Sequence, residues 1–179
     1  MTRSFNMFVI IAVLLCAETI RADSYEDQHK SKAREHTEQQ SKLYGNMFGN
    51  MNSSEEIIAL REKRFEEDEA FRLELHKEDM TQLEKLLAAK PGIPASDKEE
   101  LHKTMEDRYQ KTVQEHRMMM EEENAFFKKL CDDKNLSQQD KQRKARNYMQ
   151  QRRSDYSEYC NRTRAEGNRI VQEFFTKHK

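Results

Sequence analysis

The chain has 179 residues, with 32 lysines and arginines against 33 aspartates and glutamates, and only 8% of it is aromatic. That length suits a single domain, and the two signs of charge are mixed along the chain without a dominant basic face to collect phosphates, so nucleic acid is not an expected partner. There are only two prolines and four glycines, β-branched residues are sparse after the N-terminus, and strand-like alternation is missing, so an all-α fold is expected.

The first residues read MTRSFNMFVIIAVLLCAETIRADSYE. Arg3 gives a basic start, residues 7–17 are apolar, and Ala22 is a small-residue cleavage site, with Ala17 as a second choice. The apolar run is too short to cross a bilayer as a helix, and Glu18 closes it. Residues 1–22 therefore read as a secretory signal peptide; the other reading is an uncleaved anchor. Removing them takes away Arg3, Arg21 and Glu18 and leaves 30 basic and 32 acidic residues, net −2. No later run reaches about 18 apolar residues. A secreted, extracellular chain without stable membrane insertion is expected.

Residues 23–52 form a polar N-terminal helix and linker, and residues 53–179 the helical domain. The first helix, over 23–44, has little to bury. GNMFGNMNSS then interrupts it, where two glycines leave the right-handed region cheaply. Ser53 with Glu56 forms a capping box, which predicts a helix over 54–78. Ile57, Leu60, Phe65, Phe71 and Leu75 supply its apolar stripe. Thr81 with Glu84 repeats the signal and predicts a short helix over 82–90, carrying Leu83, Leu86 and Leu87 inward. PGIP ends it, because proline lacks the amide hydrogen and clashes with the preceding turn. Ser96 with Glu99 opens the longest helix, 97–131, striped by Leu101, Met105, Tyr109, Val113, His116, Met120 and Phe127.

EEDEAFRLELHKEDMTQ, 66–82, and EEENAFFKKLCDDKNLSQ, 121–138, suggest a diverged internal repeat. Ala70–Phe71 aligns with Ala125–Phe126, Leu75 with Leu130, and Met80–Thr81–Gln82 with Leu136–Ser137–Gln138. By that alignment Ser137 and Asp140 cap a short helix over 138–151, the chain breaks near 152–154, and Ser154–Asp155 starts a last helix to about 175. Tyr156, Tyr159, Thr163, Ile170 and Phe174 line it. Such polar helices hold together only by burying their stripes against neighbours. The expected architecture is a small helical bundle of long and short helices, in part coiled-coil.

Cys16 leaves with the signal, so Cys131 and Cys160 remain. In a secreted protein they favour a disulfide, within reach only if the chain folds back near 152–154. An intermolecular bond or two free thiols are the alternatives. Three sequons, at Asn52, Asn135 and Asn161, are candidate N-glycosylation sites.

Little else points to chemistry. Glu99 and His102 have the Glu-x-x-His spacing of paired-metal bundles, but the second copy such a site needs is missing. His102 and Glu106 are better read as a surface pair, and His116 as a hydrogen-bonded core histidine. Asp132–Asp133, with Glu121 to Glu123 nearby, lack the alternating oxygens and glycine of a calcium loop. No metal, no cofactor and no catalytic constellation is assigned, so an enzyme is not expected. Met119, Met120, Phe126, Phe127 and Leu130 share a broad face that suits either an irregular core or a cavity for a lipid chain.

AFFKKLCDDKNLSQQDKQRKARNYM, 125–149, resembles a segment of the SXP/RAL-2 family of secreted nematode proteins. The likeness is an aromatic pair, a leucine, a polar loop with Asn-Leu-Ser, and a polar helix whose Tyr148 is the aromatic nearest the family's usual tryptophan. The resemblance implies a small, secreted, helical protein, often an antigen, sometimes linked to divalent cations. Asp132, Asp133 and Asp140 are then the nearest matching acidic positions.

Together these features lead to a secreted, noncatalytic, glycosylated helical protein that interacts with an extracellular protein partner. The alternative is an extracellular carrier of a fatty acid or other small apolar ligand.

Overall fold

The structure is a computed structural model that describes residues 27–28, 31–36, 38–39 and 53–178. The segment read as a signal peptide, and the sequon at Asn52, lie outside the described residues. The fold is an all-α bundle. Helix α1 is described at residues 27–28, 31–36 and 38–39. It is followed by α2 (Ser54–Ala88), α3 (Ala95–Asp132) and α4 (Gln138–Lys177). The last three have 35, 38 and 40 residues, which at about 1.5 Å per residue makes rods of roughly 50–60 Å.

Two tight turns make the three rods run up, down and up. Arg61 of α2 meets Asn124 of α3, and His76 meets Glu106. Asp97 at the start of α3 meets Lys177 at the end of α4, and Glu123 near the end of α3 meets Arg152. Helix α3 therefore packs antiparallel to both neighbours. Helices α2 and α4 lie parallel to each other and touch through long side chains. Arg61 reaches the Met149 sulfur at 3.9 Å, and the Arg72 guanidinium lies 5.6 Å from the Tyr156 ring centre.

The predicted caps at both outer helix starts are present. Ser53 accepts a hydrogen bond from the Glu56 amide at 3.2 Å, and Ser137 accepts one from the Asp140 amide at 3.1 Å. Each satisfies an amide that the first helical turn leaves without a partner. The PGIP turn does more than stop α2, since Ile93 is buried in the core and Lys98 donates to the Leu87 carbonyl at 2.8 Å.

Two expected boundaries are absent, and a third falls two residues early without its expected cap. No break separates 78 from 82, because Leu83 and Leu87 continue the buried stripe of Leu75 and no glycine or proline intervenes. Thr81 does not cap but donates to the Lys77 carbonyl one turn back, at 2.8 Å. Ser96 lies inside α3, whose first residue follows Pro94 without a side-chain cap. Most consequentially, α4 runs unbroken through 151–154. Arg152 is held there against Glu122 and Glu123 of α3, and Tyr159 carries the buried stripe onward. The short helices expected over 82–90 and 138–151 are thus parts of α2 and α4.

The unbroken α4 also decides the cysteines. Cys131 sits in the last turn of α3, beside the start of α4, whereas Cys160 lies 22 residues into α4, about 33 Å along the rod. The expected bond needs alpha carbons within about 7 Å. It is not formed, and both thiols are free and buried.

The apolar core has two separate parts. Near the PGIP turn, Leu75, Leu83, Leu87, Ile93, Leu101, Met105, Tyr109, Val171 and Phe175 pack together. At the opposite end, Ile57, Phe127, Leu130, Cys131, Ala145 and Met149 form the second cluster. Helix α1, expected to have little to bury, packs on α2 by buried Ala33, by Lys32 between Glu74 and Glu78, and by His36 stacked on Phe71 at 4.3 Å.

Because α4 is continuous, Ser154→Pro should cost about 3 kcal/mol or more by removing a hydrogen bond and clashing with the Gln150 carbonyl. Gln138→Pro, at the first position of the same helix, should be nearly neutral. Urea unfolding compares the two, and equal stabilities would mean that α4 bends at 154.

Candidate functional site

The residues proposed for an apolar ligand do not converge. Phe127 is fully buried in the second cluster with Leu130, and Phe126 packs against that cluster. Phe126 stacks on Tyr148 at 3.7 Å between ring centres, while Phe127 meets the same ring edge-on at 6.2 Å. Met119 packs instead against the other cluster, and the Met120 sulfur accepts from the Asn124 amide at 3.0 Å. These side chains fill space with one another.

The acidic candidates serve structure: Asp132 ties the end of α3 to the start of α2, and Asp133 and Asp140 hold the turn between α3 and α4. Asp132 accepts from the Ser54 hydroxyl, Asp133 from the Asn135 amide, and Asp140 from Ser137. Among the described residues, no group of three or more His, Cys, Asp or Glu is placed to hold a metal ion. The expected surface pair of His102 and Glu106 is replaced, because Glu106 reaches across to His76 at 2.8 Å. Asn135 is exposed in its turn, and Asn161 is exposed on α4.

What the structure does assemble is a polar seam between the helices. At one level Arg61, whose side chain is only 4% exposed, bonds Asn124 at 2.9 Å and pairs with Glu123, with its guanidinium 4.8 Å from the Phe127 ring centre. Arg152 of α4 holds the same Glu123 from the other side. One level on, His116 of α3 contacts Glu69 of α2 through Nδ1 at 2.8 Å. Its Nε2 faces Arg72 at 3.4 Å, and its ring packs on Phe65 and Tyr156. His116 is thus the hydrogen-bonded core histidine that the stripe predicts. Further along, His76 stacks flat on Tyr109 at 4.0 Å, and His36 meets Asp68 at 2.5 Å.

The surroundings tune these groups. Burial lowers the His116 pKa, aided by the Arg72 charge and opposed by Glu69 and Asp68. Burial alone would raise Asp68, but His36, Arg64 and Arg72 outweigh it and hold the carboxyl below its ordinary value. Burial pushes the Cys160 thiol up to about 11 and raises Cys131 as well. Neither has the depressed pKa of a reactive thiolate. The seam therefore uses its titratable groups to join helices, and each histidine in it already faces a carboxylate.

A groove of about 570 Å³ runs between α3 and α4. Arg108, Lys111, Arg162 and Arg169 line it, with Glu115 and Glu166 as its carboxylates. Sequence reasoning missed it because the charges are mixed over the chain as a whole. Counting by helix exposes the sorting: α2 has eleven acidic and six basic residues, net −5, whereas α4 has five acidic and ten basic, net +5.

No protein-family model, curated protein or solved structure matches the chain. No helix among the described residues is long and apolar enough to cross a membrane.

The His116 environment has a definite pH signature. Its folded pKa lies below the unfolded value near 6.5, so its contribution to stability is complete above that value and is lost as pH falls through the folded pKa. His116→Gln should flatten the fall of Tm between about pH 7 and pH 5. An unchanged slope would remove His116 from the acid response. Separately, iodoacetamide without reductant should label Cys131 and Cys160 only after unfolding; failure to label the unfolded chain would reveal a disulfide.

Proposed function

We propose that this chain is a secreted, noncatalytic helical protein that works by binding an extracellular protein partner through its outer helix faces. One observation carries the reading: the bundle sorts its charge, acidic on α2 and basic on α4, while the seam uses His36, His76, His116, Arg61 and Arg72 structurally. Exposed Arg143, Arg146 and Arg153 on α4 offer a basic face to an acidic partner surface. Complementary charge speeds encounter and sets orientation more than it adds affinity. The basic start, apolar run and small residue at Ala22 support secretion, as does the partial resemblance of residues 125–149 to secreted SXP/RAL-2 proteins. The carrier alternative is weaker, because its five lining residues are divided between separate packing groups.

Native mass spectrometry of the chain secreted from eukaryotic cells and deglycosylated should give a polypeptide starting at Asp23, without co-purified lipid. A retained fatty-acid adduct would favour the carrier. A retained N-terminus would remove secretion by a cleaved signal. Cross-linking in native extracellular fluid should yield a defined protein partner. The reversal Arg143→Glu with Arg146→Glu and Arg153→Glu should abolish that cross-link with little change in Tm, and an unaffected cross-link would place the interface elsewhere.

A further inference from the structure

We propose that the groove between α3 and α4 binds a tetrahedral oxyanion, a sulfate or phosphate ester, seated over Arg108 and gripped at the rim by Arg162, Arg169 and Lys111. This goes beyond the partner-binding reading and does not depend on it, since a small anion would occupy the groove with or without a protein partner.

The key observation is an arginine short of partners. The Arg108 side chain is 11% exposed, and its nearest carboxylate, Glu166, is 4.0 Å from Nε, beyond hydrogen-bond range. Its Nε and one terminal nitrogen are shielded from water and have no hydrogen-bond partner. By contrast, the deeply placed Arg61 of the seam is bonded by Asn124 and Glu123. A buried guanidinium left so open is costly and calls for an explanation.

The backbone makes room for it. A Cβ on Gly167 would come within 2.8 Å of an Arg108 terminal nitrogen and 3.1 Å of its central carbon. Glycine in the middle of α4 costs helix stability, and here its missing side chain lets the guanidinium lie against the helix.

The remaining cations are held loosely. Lys111 meets Glu115 at 3.9 Å, and Arg169 meets Glu173 at 3.0 Å in an exposed pair. Surface pairs of this kind contribute little. Arg162 lies 5.9 Å from the Tyr159 ring centre. Four cations thus face two carboxylates across the groove. Glu166, with 56% of its side chain exposed, can turn outward as an anion enters. Arginine suits such a ligand because its planar fork matches the oxygens of sulfate and phosphate. The volume of about 570 Å³ leaves space for the organic group of an ester.

The test uses the full secreted chain, deglycosylated because Asn161 adjoins the groove wall. Titrations with inorganic sulfate, inorganic phosphate, p-nitrophenyl sulfate and phenyl phosphate are followed by amide chemical shifts, at ionic strength held constant with chloride. Saturable shifts confined to residues around Arg108 and Gly167 are expected. Arg162→Gln with Arg169→Gln should weaken binding about tenfold, and Glu166→Gln should strengthen it. Arg108→Gln should abolish it; should that variant fail to fold, the two exposed-rim variants decide. A tighter sulfate ester identifies a sulfated ligand and a tighter phosphate ester a phosphorylated one. Binding weaker than about 10 mM for all four anions, or unchanged in the rim variants, would overturn the proposal.

Discussion

The bundle depends on polar and charged contacts made between its helices. Arg61 and Arg152 share Glu123, Arg72 and His116 share Glu69, and His76 takes Glu106. Each joins two helices at one axial level, except that the Arg72–Glu69 contact lies within α2. Taking a charge out of water is expensive, and removing its partner leaves that cost uncompensated. A slip of α3 along α2 by one turn would separate several pairs together. The polar seam thereby selects one alignment of rods that have few large apolar side chains to define it.

The two apolar clusters take the complementary role. One closes the end near Ile93, and the other closes the end near Phe127. Burial of each large side chain is worth about 1.5–3 kcal/mol, so the clusters supply most of the driving force while the polar layers between them supply direction. This division has a functional consequence. Groups that resemble catalytic or metal-binding candidates by residue type, such as His76, His116 and Glu106, already have helix-joining partners. The chemistry left to the surface is charge: an acidic α2, a basic α4, and one groove whose deepest arginine lacks hydrogen-bond partners on two of its nitrogens.

Much of this was legible before the structure. The helical composition, the caps at Ser53 and Ser137, the PGIP turn and the inward path of Leu101, Met105 and Tyr109 all follow from local rules. The missed boundaries share one cause. Thr81 and Ser96 have the residue types of helix starts, but a capping side chain is used only where the backbone has already left the helix. Neighbouring leucines kept Thr81 in α2, and Pro94 opened α3 before Ser96. The groove was missed for another reason. Arg108 and Gly167 are 59 positions apart, and neither stands out until α3 and α4 lie side by side.

The sequence by itself determined that the chain is helical, where α2 and α4 begin and where the PGIP turn falls, because these depend on residues within a turn or two of one another. Only the tertiary structure decided that α4 is one rod, that Cys131 and Cys160 stay apart, and that Glu106 pairs with His76 and not with His102. Those outcomes are competitions between distant partners. Each is settled by which side chains the assembled bundle removes from water together.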